Sequence, residues 1–392
     1  MSIRLCRRAL AALGAGAVLA SGCSTQVPGP AAAGSGSPAG TASRSVASPS
    51  PSCARLLSSW STTRLAGQTV VVPVDEDRVT SISAEIASGA GGVILFGSQA
   101  PPDLAATLHR LATKAPEGIA PMVMADEEGG VVQRMANLVG RMPSARQMAA
   151  TMSSTQIEAL ATQVGRKLKA AGVTVDLAPV LDLDGRPGPS SSNPDGTRSF
   201  SLTESVAETA GLAFARGLLA AGVVPVVKHF PGLGGATGNT DDKAATTLPW
   251  PTLRRAGLLP FTAAVGAGLP AVMIANAGVP GLTSTPASLS PTVITNVLRG
   301  QLHFTGLVLT DSLSAGAIST AGYPVPAASV QALKAGADMV LFNASSSAVA
   351  SLTRQVIQAI ADAVDSGKLA RSRLEEAVAH ILTAKHVDLC RG

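Results

Sequence analysis

Carboxylates, a lysine–histidine pair, arginines and side-chain amides stand at the C-terminal ends of short apolar runs along this sequence. In chain order they are Asp75, then Asp126-Glu127-Glu128-Gly129-Gly130 followed by Gln133 and Arg134, then Asp182 and Asp184. After these come Lys228-His229-Phe230-Pro231-Gly232, Asn276, Asp311 and Asn343. A lone Asp or Asn at a strand end can simply cap the next helix, which is the reading for Asp75 and Asn343. Seven such ends together suit a polyhydroxylated ligand, whose hydroxyls need many donors and acceptors, plus a nucleophile or acid. Other chemistries lack their spacing. The five histidines show no HxxxH and there is no C-x-x-C, so no metal site is expected. Gly232-Leu233-Gly234-Gly235 is followed by no Walker Lys-Ser/Thr, and no G-x-S-x-G elbow surrounds Ser312, which argues against a phosphate loop and a serine hydrolase.

Eight short apolar runs carry these ends: Thr69 to Val74, Gly92 to Phe96, Pro121 to Ala125, Thr174 to Leu183, Val223 to His229, Ala271 to Ala275, Gly306 to Thr310 and Asp338 to Phe342. Several lack in/out alternation, as strands covered on both faces do, and Ala/Leu-rich helical stretches separate them. The expectation is a single α/β domain, a TIM-type (β/α)8 barrel over residues 53–392, with its chemistry at the strand C-terminal ends. In the last helix Leu374, Ala377, Val378, Ile381 and Leu382 form one apolar stripe. His380 lies off it and reads as a surface residue.

Ordered motifs then carry a resemblance. They are Gly91 to Phe96, the Asp126 to Gly130 block with Gln133 and Arg134, Asp176-Leu177-Ala178-Pro179-Val180, Gly196-Thr197-Arg198-Ser199-Phe200, Lys228 to Gly232, Thr310-Asp311-Ser312-Leu313 and Lys334 to Asp338. From about residue 66 to 387 the sequence resembles glycoside hydrolase family 3, and within it the NagZ-type β-N-acetylglucosaminidases, including LpqI-type lipoproteins. The resemblance implies exo-acting, retaining removal of terminal N-acetylglucosamine from peptidoglycan fragments through a covalent glycosyl-enzyme on Asp311. Asp126, Arg134, Arg198, Lys228 and His229 would line the sugar subsite, and no cofactor is implied. Asp311 must be ionised to attack, so its neighbours are expected to keep it charged.

One departure concerns the acid/base. NagZ-type enzymes place an Asp-x-His dyad on the loop after the Lys-His-Phe-Pro-Gly strand, whereas no histidine occurs here between His229 and His303. Asp241 or Asp242 could act as a carboxylic acid, another loop or a partner could supply one, or the chain could be a catalytically weak sugar-binding lipoprotein. Gly232, Gly234, Gly235 and Gly238 are expected to let this loop move. A family 3 β-glucosidase is the other alternative. Such enzymes usually bear a second α/β domain after the barrel, for which a chain ending at Gly392 leaves no room.

The first residues read as targeting. Arg4, Arg7 and Arg8, the apolar run Ala9 to Ala20 and small residues before Cys23 form a signal peptide over 1–22, with Leu19 to Cys23 resembling a lipobox. Residues 23–52 form a Ser/Pro/Gly/Ala tether, which places the protein on the outer face of the cell membrane through lipid on Cys23. Cys53 and Cys390 remain as an expected disulfide in an oxidising exterior. The formal charge of +5 invites a nucleic-acid reading. Yet Arg4, Arg7, Arg8 and Arg44 account for four of those charges, leaving +1 on the region from residue 53. With 3% aromatic residues for stacking, nucleic acid is excluded as a partner and a monomer is expected.

Overall fold

The computed structural model describes residues 55–388. The signal peptide, the tether, Cys23, Cys53 and Cys390 lie outside the described residues. Eight parallel strands run β1 (Val70–Asp75), β2 (Gly92–Phe96), β3 (Met122–Ala125), β4 (Val175–Asp176), β5 (Val224–Phe230), β6 (Ala271–Ile274), β7 (Leu307–Thr310) and β8 (Val340–Leu341). Their order around the sheet is β8-β1-β2-β3-β4-β5-β6-β7. A Leu309–Met339 bridge and the Thr310 N–H donating to the Met339 carbonyl at 3.1 Å join β7 to β8. This is the expected α/β barrel of TIM type.

Burial explains why these strands lack alternation. Val71, Ile94, Met122, Met124, Val175, Val226, Met273, Leu309 and Leu341 meet inside the barrel. The intervening Val70, Val72, Val93, Val123, Val272 and Val308 pack outward in the larger core shared with the helices. Both faces are therefore apolar. Outside, helix Ser154–Ala170, opened by a Ser153/Gln156 capping box, lies against helix Glu204–Ala221. A Cβ on Gly217 would stand 2.4 Å from the Glu158 carbonyl oxygen, so glycine permits their approach. Among the described residues no helix is long and apolar enough to cross a membrane.

Two expectations need correction. The fourth run pairs as a strand over only Val175–Asp176, because Pro179 has no N–H to give a ladder. The chain nevertheless stays beside β5, with the Lys228 N–H donating to the Pro179 carbonyl at 3.2 Å and the Leu181 N–H to the Lys228 carbonyl at 2.7 Å. His380, in helix Arg371–Ala384, is half-buried and not a surface residue. Its Nδ1 lies 3.0 Å from Asp338, a fully buried carboxylate two residues before β8.

Asp338 also binds Arg299 at 2.7 Å and Arg373 at 2.8 Å, and accepts the Val308 N–H at 2.9 Å. Burial opposes its charge, but these cations overcome that and hold its pKa well below the usual carboxylate range. Asp338→Asn is expected to cost about 3–5 kcal/mol of unfolding free energy in urea, the cost of breaking a buried ion cluster from one side. A depressed carboxylate pKa adds stability above the unfolded-state value that is lost as pH falls. The wild-type and mutant stabilities should therefore converge in acid.

Candidate active site

The site is built where the strands end. Directly after β3 a hairpin, Glu127–Gly129 paired with Val132–Gln133, turns at Gly129 and Gly130, both at positive φ. It projects Glu128 across the mouth. On β5 the register slips by one residue between Val227 and Phe230, and a bulge of this kind re-aims neighbouring side chains. Lys228 and His229 both serve the mouth as a result.

Lys228 Nζ lies 2.6 Å from Asp126 Oδ1 and 2.6 Å from Glu128 Oε1. Arg198 donates two bonds to Glu128, Nε to Oε2 and Nη2 to Oε1, each 2.8 Å, and a third to the Pro194 carbonyl at 2.9 Å. Two cations thus face two carboxylates in a buried network. Burial disfavours the Glu128 charge, yet Arg198 and Lys228 outweigh it and hold its pKa far down. Burial likewise opposes the lysine charge, and Asp126 and Glu128 raise the Lys228 pKa in spite of it. Arg134 stands on the β1–β2 side of the mouth, its guanidinium carbon 5.8 Å from the Phe96 ring centre.

His229 is 4% exposed and its Nδ1 is 2.6 Å from Asp182 Oδ2. Asp182 also accepts the His229 N–H at 3.0 Å and the Leu233 N–H at 2.6 Å. Burial, with Arg198 and Lys228 nearby, pushes the imidazole down to about 4, so the ring is neutral at neutral pH.

Asp311 ends β7. Its N–H donates to the Ile274 carbonyl at 3.0 Å, and its Oδ1 accepts the Ser312 N–H at 2.7 Å. Asn276 braces this turn by donating to the Ser312 carbonyl at 2.7 Å. Burial pushes the Asp311 pKa up and Asp241 adds to the rise, against the pull of His229, Ser312 and Lys228. Desolvation is the largest of these effects, and the net shift is upward.

The loop after β5 is docked. Gly316 and Ala317 donate to the Asp241 and Thr240 carbonyls at 2.8 and 3.0 Å, and Asn239 donates to Ser191 at 3.0 Å. Gly234 also permits a close approach: a Cβ there would lie 2.0 Å from the Leu183 carbonyl oxygen. Asp241 and Asp242 are both exposed, and they differ in surroundings. Partial desolvation pushes the Asp241 pKa up, and Arg198, Asp126 and Lys228 act on it as well as Asp242.

Sequence reasoning brought Asp126, Arg198, Lys228, His229 and Asp311 to the mouth. Glu128 and Asp182 stood among the strand-end acids, but the sequence assigned neither of them a specific role. Asp195, beside the Gly196-Thr197-Arg198 motif, is fully buried, and neither of its oxygens has a protein donor. Glu127 and Asp176 lie beneath the mouth, where the Glu127 N–H donates to Asp176 Oδ1 at 3.0 Å. Burial pushes Glu127 up to about 7 and Asp176 well above its ordinary value. Asp184 holds Arg186 at 3.1 Å and Asp75 accepts the Ser346 hydroxyl at 3.4 Å. The Asn343 side chain accepts the N–H of Ala344 at 2.8 Å.

Comparison with known proteins agrees with this geometry. The glycosyl hydrolase family 3 N-terminal domain matches residues 68–384. Over 270 residues, 67% of each chain, the sequence is 36% identical to beta-hexosaminidase LpqI of Mycobacterium tuberculosis. A glycosyl hydrolase of the GH3 family from Mycobacterium smegmatis superposes with a TM-score of 0.75 at 35% identity, covering 84% of this chain and 98% of that one. Beta-N-acetylhexosaminidase from Beutenbergia cavernae gives 0.75 at 30% identity, with 84% and 99% covered.

Proposed function

We propose, from the premise that this chain belongs to glycosyl hydrolase family 3 and is a glycoside hydrolase of the β-hexosaminidase kind, that it removes terminal β-linked N-acetylglucosamine from peptidoglycan fragments by double displacement on Asp311. The observation that carries this reading is one barrel mouth holding Asp311 beside the Asp126–Lys228–Glu128–Arg198 network. Asp126 and Lys228 present acceptor and donor to vicinal hydroxyls, while Arg134, Arg198 and His229 bound the sugar ring. Asp311 attacks the anomeric carbon, and the C–O bond to the leaving group breaks with its electron pair on the departing oxygen. Asp241 protonates that oxygen, then accepts a proton from the water that opens the glycosyl ester.

Asp241 is preferred to Asp242 because the charges of Asp126, Arg198 and Lys228 reach it and partial desolvation pushes its pKa up. Asp241→Asn is expected to lose about 10²–10⁴-fold in kcat on a substrate with a poor leaving group, the usual worth of general acid catalysis. On an activated nitrophenyl glycoside the loss should be far smaller. Asp242→Asn should track the wild type on both. Equal losses on the two substrates would remove Asp241 from this role, and no turnover by the wild type would favour a sugar-binding protein.

The targeting features extend the proposal to a monomeric lipoprotein on the outer face of the cell membrane. Cys23→Ser should then shift the protein from the membrane fraction to the medium, and the mass of the unreduced protein should show Cys53 joined to Cys390.

A further inference from the structure

We propose that Asp182, Asp195 and His229 bind one zinc-like divalent cation behind the sugar pocket, and that its binding inhibits hydrolysis. The three residues come from separate segments: the stretch after β4, the loop before Arg198, and β5. Each offers one atom, two carboxylate oxygens and an imidazole nitrogen, and these atoms lie within 4.8 Å of one another. A single ion with bonds of about 2.0–2.2 Å holds its ligands about 3.4 Å apart in a tetrahedral site, so the three side chains would close slightly around it, and the donor set is one that zinc accepts.

Burial makes this more than an acidic cluster. Asp182 and Asp195 are fully buried and His229 is 4% exposed. Both Asp195 oxygens lack a protein donor, and a buried carboxylate without a partner is costly. The neighbouring cations do not meet that need. Lys228 and Arg198 are ion-paired with Asp126 and Glu128, and neither donates to the Asp195 oxygens. The first ligands are also pre-oriented, because Asp182 is held by the N–H groups of Leu233 and His229 at 2.6 and 3.0 Å. Support of this kind raises metal affinity.

Inhibition follows from position. An ion held by His229 would fix the imidazole away from the sugar and add positive charge beside Asp311, weakening it as a nucleophile. This half rests on the functional reading above; binding itself does not.

The test uses the full chain freed of metal with a chelator. Calorimetric titration with Zn²⁺ should give one equivalent bound, and anomalous diffraction at the zinc edge should place the ion among the three side chains. Co²⁺ should give a visible absorption band in the wild type. Asp195→Asn should weaken Zn²⁺ binding by at least about tenfold, the minimum seen for losing even a supporting group. Asp195→Ser serves if the first variant does not fold by circular dichroism. An anomalous peak elsewhere, no binding near 1 mM Zn²⁺ (about −4 kcal/mol), or binding unchanged in both variants overturns the site. Zinc bound there with turnover undiminished overturns the inhibition, and an inactive wild type leaves the binding measurement able to decide the site.

Discussion

Asp311→Asn is expected to lower turnover of an aryl β-N-acetylglucosaminide by about four to six orders of magnitude, the scale of loss when a catalytic nucleophile is removed. The amide keeps the shape of the carboxylate and can still accept the Ser312 N–H that Asp311 accepts at 2.7 Å. It has no charge to place on the anomeric carbon. Because burial already disfavours the Asp311 charge, neutralising it should leave the melting temperature unchanged or higher, and sugar binding should persist by calorimetry. The wild type given a slow substrate should gain the mass of one sugar residue, and the variant should not. Activity within tenfold of wild type would show that another group forms the bond.

Glu128→Gln is expected to damage both stability and catalysis. The carboxylate receives two bonds from Arg198 at 2.8 Å and one contact from Lys228 at 2.6 Å, and the Gln amide cannot match two buried cations. Leaving them uncompensated should cost about 3–5 kcal/mol in urea unfolding. Arg198 and Lys228 would also lose the register that aims them at the sugar. A further loss of at least about a hundredfold in kcat/KM follows, since misplacement by an ångström has that effect. A double-mutant cycle with Arg198→Met should recover part of the stability loss, because removing the facing cation removes the mismatch. Additive losses would mean that the pair is not coupled.

How far the site could be read in advance depended on what carries each residue. Asp126, Lys228, His229 and Asp311 end strands of an eight-strand pattern, so a barrel brings them to one face whatever the loop details. Glu128 sits in the same motif, but only the hairpin after β3 turns it toward Arg198, 70 positions later. Asp241 and Asp242 are neighbours in sequence and alike in type, and loop docking on Gly316 and Ala317 is what distinguishes their surroundings. His380 lies off the apolar stripe of its helix, and the buried Asp338 pulls it in regardless.

The order of residues by itself pointed to the barrel, because continuous apolar runs spaced by helical stretches require a parallel sheet covered on both faces, and eight such runs are the number that closes one. It also determined which strand ends bear acids and bases. Tertiary structure alone decided how those groups are charged and paired, since desolvation and ion pairing depend on what is close in space. Lys228 with Glu128, His229 with Asp182, and Asp195 beside both meet across gaps of 100, 47 and at least 13 positions in the chain. No spacing rule spans such gaps, and the Asp182–Asp195–His229 cluster became visible only when the fold brought it together.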